Sequence, residues 1–126
     1  MTSVTVMHVA GAPVRLHWTV LLLGWLVVPL TTQILPDSDG APTWALLVAS
    51  FVVIVGIVTG IVLHEASHAL AGRRYDMQPY DIVVHGGGGA ASFLREAPTP
   101  RAEAVVAGVG PATSIAFGLT LSLIHI

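Results

Sequence analysis

The feature that most limits how this chain can fold is a twenty-residue stretch without a charge, Trp44 to Leu63, that runs straight into His64-Glu65-Ala66-Ser67-His68. A run of that length suits a helix crossing the roughly 30 Å apolar core of a bilayer. Ionisable groups inside such a helix cost about 2.5–3.5 kcal/mol each on insertion scales, so three of them together call for a task. Helical residues four apart stand one turn above each other on the same face, which lets His64 and His68 grip one cation jointly. Glu65 lies about 100° further round. From there its carboxylate reaches a water on the metal rather than the metal itself. The pattern HExxH also admits a passive reading, a pair of buried histidines without a metal. The membrane setting favours the metal.

Composition points the same way. The 126 residues are 54% hydrophobic and 10% charged, with a mean hydropathy of +0.81. A soluble domain carries about 25% charged residues. The net charge is −2 and the five basic residues are all arginines, which excludes a basic patch for nucleic acid. There is no cysteine, so disulfides, thiolate metal sites and cysteine nucleophiles are excluded. A metal here must be held by imidazole and carboxylate, a donor set that suits Zn2+.

Taken in order, the chain reads as an all-α membrane protein of about three transmembrane helices, one domain over residues 1–126, with a short β and glycine-rich re-entrant segment between the second and third helices. Residues 3–9 alternate weakly and suggest a short strand at the membrane surface. Arg15, His17 and Trp18 mark an interface, and His8 and His17 read as plain interfacial residues. The spans fall at about 18–35, 43–71 and 102–123. Pro29 kinks the first and Pro36 ends it. The absence of an Ala-x-Ala cleavage signature favours a retained helix over a signal peptide. Asp37 and Asp39 lie in a short acidic turn, and Gly72 is placed to cap the second helix ahead of Arg73 and Arg74. Arg15, Arg73, Arg74, Arg95 and Arg101 put the N-terminus and the 73–101 loop on the cytoplasmic side of the cell membrane, with Asp37 and Asp39 outside. Within that loop, Asp81 to Val84 reads as a short strand running into Gly86, Gly87, Gly88 and Gly89. Those glycines are either a flexible linker or irregular backbone lining a wet cavity. His85 reads as a loop histidine. Gly108, Gly110, Ala112 and Ser114 form a small-residue stripe for close helix packing, and Pro111 frees a carbonyl that needs a partner.

Four blocks in order resemble the site-2 protease family of intramembrane zinc metalloproteases. They are Val14-Arg15-Leu16-His17-Trp18, the HEASH motif at 64–68, the glycine cluster from Gly86 to Ala90, and Ala107-Gly108-Val109-Gly110-Pro111. In the last, Val109-Gly110 stands inside the family's Ala-Gly-Pro. The resemblance covers roughly residues 11–120. It implies a zinc endopeptidase that cleaves the transmembrane segment of a protein substrate within the lipid bilayer, after an earlier cut has trimmed that substrate. Carried over, His64 and His68 hold zinc, Glu65 is the general base, and Gly86 to Gly89 bind substrate by strand addition. The family's third ligand is an aspartate in a later Asp-Gly, and none follows Pro111. Glu96 and Glu103 are the carboxylates in this chain that stand at ligand-like distances along it. Residues Leu121 to Ile126 match a translated sequencing adapter, so the chain is expected to be a truncated, inactive piece in which His125 carries no meaning. Oligomeric state is not legible. The competing hypotheses are a small multi-span metal-binding or transport protein in which His64, Glu65 and His68 all ligate or relay ions, and a metal-free helix bundle.

Overall fold

The computed structural model describes residues 3–34, 40 and 42–125; the acidic turn at 37–39 and the terminal Ile126 lie outside them. Strand β1 (Ser3–Val9) and strand β2 (Ala12–His17) form an antiparallel hairpin. Its two-residue turn, Ala10-Gly11, has φ of 53° and 87°, the pair of positive values that a twisted hairpin takes. A short 3-10 turn (Trp18–Leu21) leads into α1 (Leu22–Ile34). Helix α2 (Thr43–Arg74) follows, then strands β3 (Pro79–His85) and β4 (Gly88–Phe93), then α3 (Pro100–His125).

The expectation of an all-α protein is overturned. The four strands form one mixed sheet in the order β1-β2-β3-β4. Its centre is the parallel pairing of β2 with β3, which sets Val14 opposite Ile82 and Leu16 opposite Val84. Two strands escaped the sequence reading for different reasons. β2 is six residues long and its apolar positions alternate with Pro13, Arg15 and His17, so it looked like an interfacial lead-in. β4 begins Gly-Gly-Ala-Ala, residues that disfavour strands on their own. β2 gains a partner far along the chain in β3, whereas β4 is held by its hairpin neighbour β3 and by packing against α2.

The count of spanning helices changes too. Among the described residues α2 and α3 are long and apolar enough to cross a membrane, their apolar 18-residue stretches having mean hydropathies of 2.9 and 1.6. The first apolar segment reaches only from Trp18 to Ile34, and its opening turn is 3-10 rather than α. These two helices mark the chain as a membrane protein.

Helix α2 is the spine, about 48 Å long at 1.5 Å per residue. Its two halves live in different surroundings. The first half leaves Trp44, Phe51 and Val52 more than 60% exposed. The second half carries the sheet, where Ala12, Val14, Ala69 and Ile82 are all completely buried in one cluster. Gly72 does not cap α2. The helix continues to Arg74, and Gly72 instead admits Phe93 of β4, whose Cζ would stand 3.0 Å from a Cβ at that position. Arg73 and Arg74 in the last turn complement the negative end of the helix.

Helix α3 starts on a Thr99-Pro100 cap, in which the Thr99 hydroxyl accepts from the Ala102 N–H at 3.1 Å. Its buried face runs Ala102, Val106, Gly110. That is a step of four, and it corrects the expected small-residue stripe. Gly108, Gly110, Ala112 and Ser114 are two apart, so a helix sends them to alternating sides, and Gly108 meets nothing within 4 Å.

Candidate metal centre

The motif lies in the sheet-covered half of α2, facing α3. The His64 and His68 rings stand edge to face, 4.8 Å between centroids. Each ring has its Nδ1 held by α3. His64 Nδ1 is 2.8 Å from the Ser114 hydroxyl, and His68 Nδ1 is 2.6 Å from the Val106 carbonyl. A carbonyl only accepts, so the hydrogen of His68 sits on Nδ1 and its Nε2 keeps a free lone pair.

Gly110 shows where those Nε2 atoms point. A Cβ on Gly110 would come within 2.7 Å of His64 Nε2 and 2.5 Å of His68 Cε1, with His68 Nε2 as another close neighbour. Both ring nitrogens therefore face one small space that glycine keeps open. Two imidazole nitrogens directed at one point are a fitting half-shell for a divalent cation. Among the described residues no cluster of three or more His, Asp or Glu side chains forms a complete cage. Glu96 and Glu103, considered as further ligands, are both exposed on the surface.

Glu65 is 7% exposed and lines a cleft of about 330 Å3 with Ile57, Gly60, Ile61, His64, Ser114 and two of the four glycines, Gly88 and Gly89. Its roof is β4. A Cβ on Gly89 would stand 2.6 Å from Glu65 Cγ and 2.9 Å from Glu65 Oε1, so only glycine lets the strand lie this close to the carboxylate.

The glycine segment is thus neither a linker nor irregular re-entrant backbone. Gly86 and Gly87 form the two-residue turn of the β3–β4 hairpin, with His85 paired opposite Gly88. The turn is pinned on its far side: the Gly86 N–H donates to the Thr19 hydroxyl at 3.2 Å, and that hydroxyl is 2.8 Å from His17 Nδ1. His17, read from sequence as interfacial, is therefore a bracket for the hairpin. His85 accepts from the Gly87 N–H at 3.2 Å and faces a separate apolar hollow with α1. His8 is an exposed residue of β1.

Outside the helices, Arg15 of β2 bonds the Asp81 carboxylate of β3, through Nε at 2.9 Å and through its Nη2. Hydrogen bonding and the charge of Asp81 push the Arg15 pKa up. Arg95 likewise pairs with Asp76 at the base of the hairpin. Sequence reasoning missed Ser114, Val106 and Thr19. The step of four from Val106 through Gly110 to Ser114 was the available signal for the first two.

No family model matches the chain. A protein of Mycobacterium tuberculosis bearing the name zinc metalloprotease Rip3, in strains Erdman and H37Rv alike, is 32% identical over 122 residues. That match takes in 94% of this chain and 30% of the relative, so the chain spans under a third of the length of the curated relatives it matches. The solved structure of the site-2 protease from Methanocaldococcus jannaschii superimposes with a TM-score of 0.67 at 23% identity, covering 98% of this chain and 51% of that one, which establishes a shared fold. Along nearly its whole length the chain is therefore similar in sequence to a protein named as a zinc metalloprotease, and it shares the fold of a site-2 protease.

Proposed function

We propose that this chain is the zinc-holding part of an intramembrane metalloendopeptidase that cleaves the transmembrane segments of other membrane proteins. The observation that carries the proposal is the closeness of both Nε2 atoms, of His64 and His68, to the one point beside Gly110, with Glu65 and His64 lining one cleft. His64 and His68 would hold the metal through those nitrogens. A zinc ion held there would supply Lewis acidity toward a peptide carbonyl and make a water easier to deprotonate. Glu65 takes a proton from the attacking water and returns it to the leaving amine. A catalytic zinc normally takes three protein ligands, and His64 and His68 are the two that the described residues of this chain bring together.

The substrate must unwind, because the carbonyls of a bilayer helix are already hydrogen-bonded. β4 is an outer strand of the sheet and its Gly88 and Gly89 line the cleft, which supports docking of the unwound segment by strand addition. Gly86 and Gly87 support that edge from the turn rather than forming it. The arginines at 15, 73, 74, 95 and 101 support a cell-membrane orientation with the sheet on the cytoplasmic side.

Zinc analysis of the chain in lipid nanodiscs, together with a membrane-spanning reporter in cells making the whole protein, tests this reading. His64→Ala and His68→Ala are expected to lose zinc, while Glu65→Gln keeps zinc and abolishes cleavage. Loss of zinc in Glu65→Gln would instead make the carboxylate a ligand, as in a metal carrier.

A further inference from the structure

We infer that Ser114 is a positioning residue for the metal: its hydroxyl fixes the ring angle of His64 and, by accepting from Nδ1–H, leaves Nε2 with a lone pair for the space beside Gly110. This inference rests on the reading of His64 and His68 as ligands. An unsupported imidazole turns about its side-chain bond and places its hydrogen on either nitrogen. Ligating histidines are commonly held by a hydrogen bond from the other ring nitrogen. For His68 the Val106 carbonyl does this at 2.6 Å, and it allows only one tautomer. For His64 the partner is a hydroxyl, at 2.8 Å. A hydroxyl both donates and accepts, so the direction of one O–H decides whether His64 Nε2 is free for a metal. Acceptance from Nδ1–H arms the site; donation to Nδ1 disarms it.

The placement of the Ser114 side chain supports a dedicated role. Hydroxyls in helices ordinarily bond back to their own helix. Thr31, Ser50 and Thr120 all do so, each 2.8 Å from the carbonyl four residues earlier. Thr32 and Ser67 bond back three residues, at 2.7 and 2.6 Å. Ser114 instead reaches across from α3 to a ring on α2. Its own helix supplies the reach, since Val106, Gly110 and Ser114 are four apart and face α2 together. One helix face thus holds both rings from behind and leaves open the space in front of them.

The test uses this chain in nanodiscs as wild type, Ser114→Ala and Ser114→Thr, with His64→Ala and His68→Ala as ligand controls. Zinc affinity is read by chelator competition, and the His64 and His68 ring tautomers are read by long-range 15N NMR of the metal-free protein. Ser114→Ala is expected to weaken zinc binding about tenfold to a hundredfold. It should also turn His64 into a mixture of tautomers while leaving His68 unchanged, and Ser114→Thr should restore both readouts. Unchanged affinity with an unchanged His64 tautomer in Ser114→Ala overturns the inference. Zinc binding that survives both histidine replacements overturns the ligand reading alone, and the ring tautomers still decide on Ser114.

Discussion

The two hairpins of the sheet are alike in plan and opposite in what they ask of their glycines. The β1–β2 hairpin turns on Ala10-Gly11, where the backbone needs positive φ and the space around Gly11 is empty to 4 Å. The β3–β4 hairpin turns on Gly86-Gly87 and is crowded on both sides, by Thr19 at Gly86 and by Glu65 and Ile61 at Gly89. In the first, glycine serves the conformation of the chain; in the second, Gly86 and Gly89 serve the approach of one element to another, and Gly88 alone supplies a positive φ, of 139°. A turn that only has to turn tolerates other residues at a modest cost. One that carries a strand onto the buried carboxylate of Glu65 does not.

Substitutions along the two hairpins can break that contrast. The largest effect is expected at Gly89→Ala, whose methyl would meet Glu65 Cγ at 2.6 Å and Ile61 Cγ2 at 2.9 Å. Displacing β4 should cost about 1–3 kcal/mol of stability, read by thermal unfolding in nanodiscs, and abolish reporter cleavage by the whole protein while zinc remains bound. Next comes Thr19→Val, which removes the hydroxyl under the Gly86 N–H. A loss of about 1 kcal/mol is expected, with faster amide exchange at Gly86 as the specific sign. Gly11→Ala should cost about 1–2 kcal/mol through its left-handed backbone, yet leave zinc affinity and cleavage untouched. If Gly11→Ala impaired cleavage as much as Gly89→Ala, the division between the hairpins would fail.

Smallest of all is Asp81→Asn, which unpairs Arg15 at the junction of β2 and β3. Arg15 is solvent-screened, so the expected change is a slight, salt-dependent drop in unfolding temperature. The sign with pH follows from the raised Arg15 pKa. That contribution is present throughout the physiological range and is lost only as pH rises through the arginine range. A stability profile in which the gap between the wild type and Asp81→Asn changed steeply near neutrality would contradict it.

Much of the centre was readable before the fold. The spacing of His64 and His68 places them on one helix face, and an uncharged run of twenty residues dictates a helix beneath them. The short strand at 3–9 and the one within β3 were also visible in alternation. What stayed hidden depends on tertiary partners rather than on local propensity. β2 is a strand because β3 pairs with it, and the glycines become a strand because β3 and α2 hold them in place. Gly72 illustrates the same limit. Followed by two arginines it has the local look of a helix end, whereas a ring from Phe93 gives it its purpose. Ser114 was read as a small residue because its hydroxyl has no significance until His64 stands opposite.

The four-residue step from Val106 to Ser114 makes α3 behave like a key whose teeth must stay in phase with their lock. One extra residue between them would swing Ser114 about 100° away from its imidazole, while Val106 kept its hold on the other ring. Lengthening that stretch by a whole turn would preserve direction but carry the hydroxyl about 5.4 Å up the axis, out of reach. The distance between two notches on this helix is therefore as constrained as the pentapeptide they serve, although nothing in the lettering of α3 announces it.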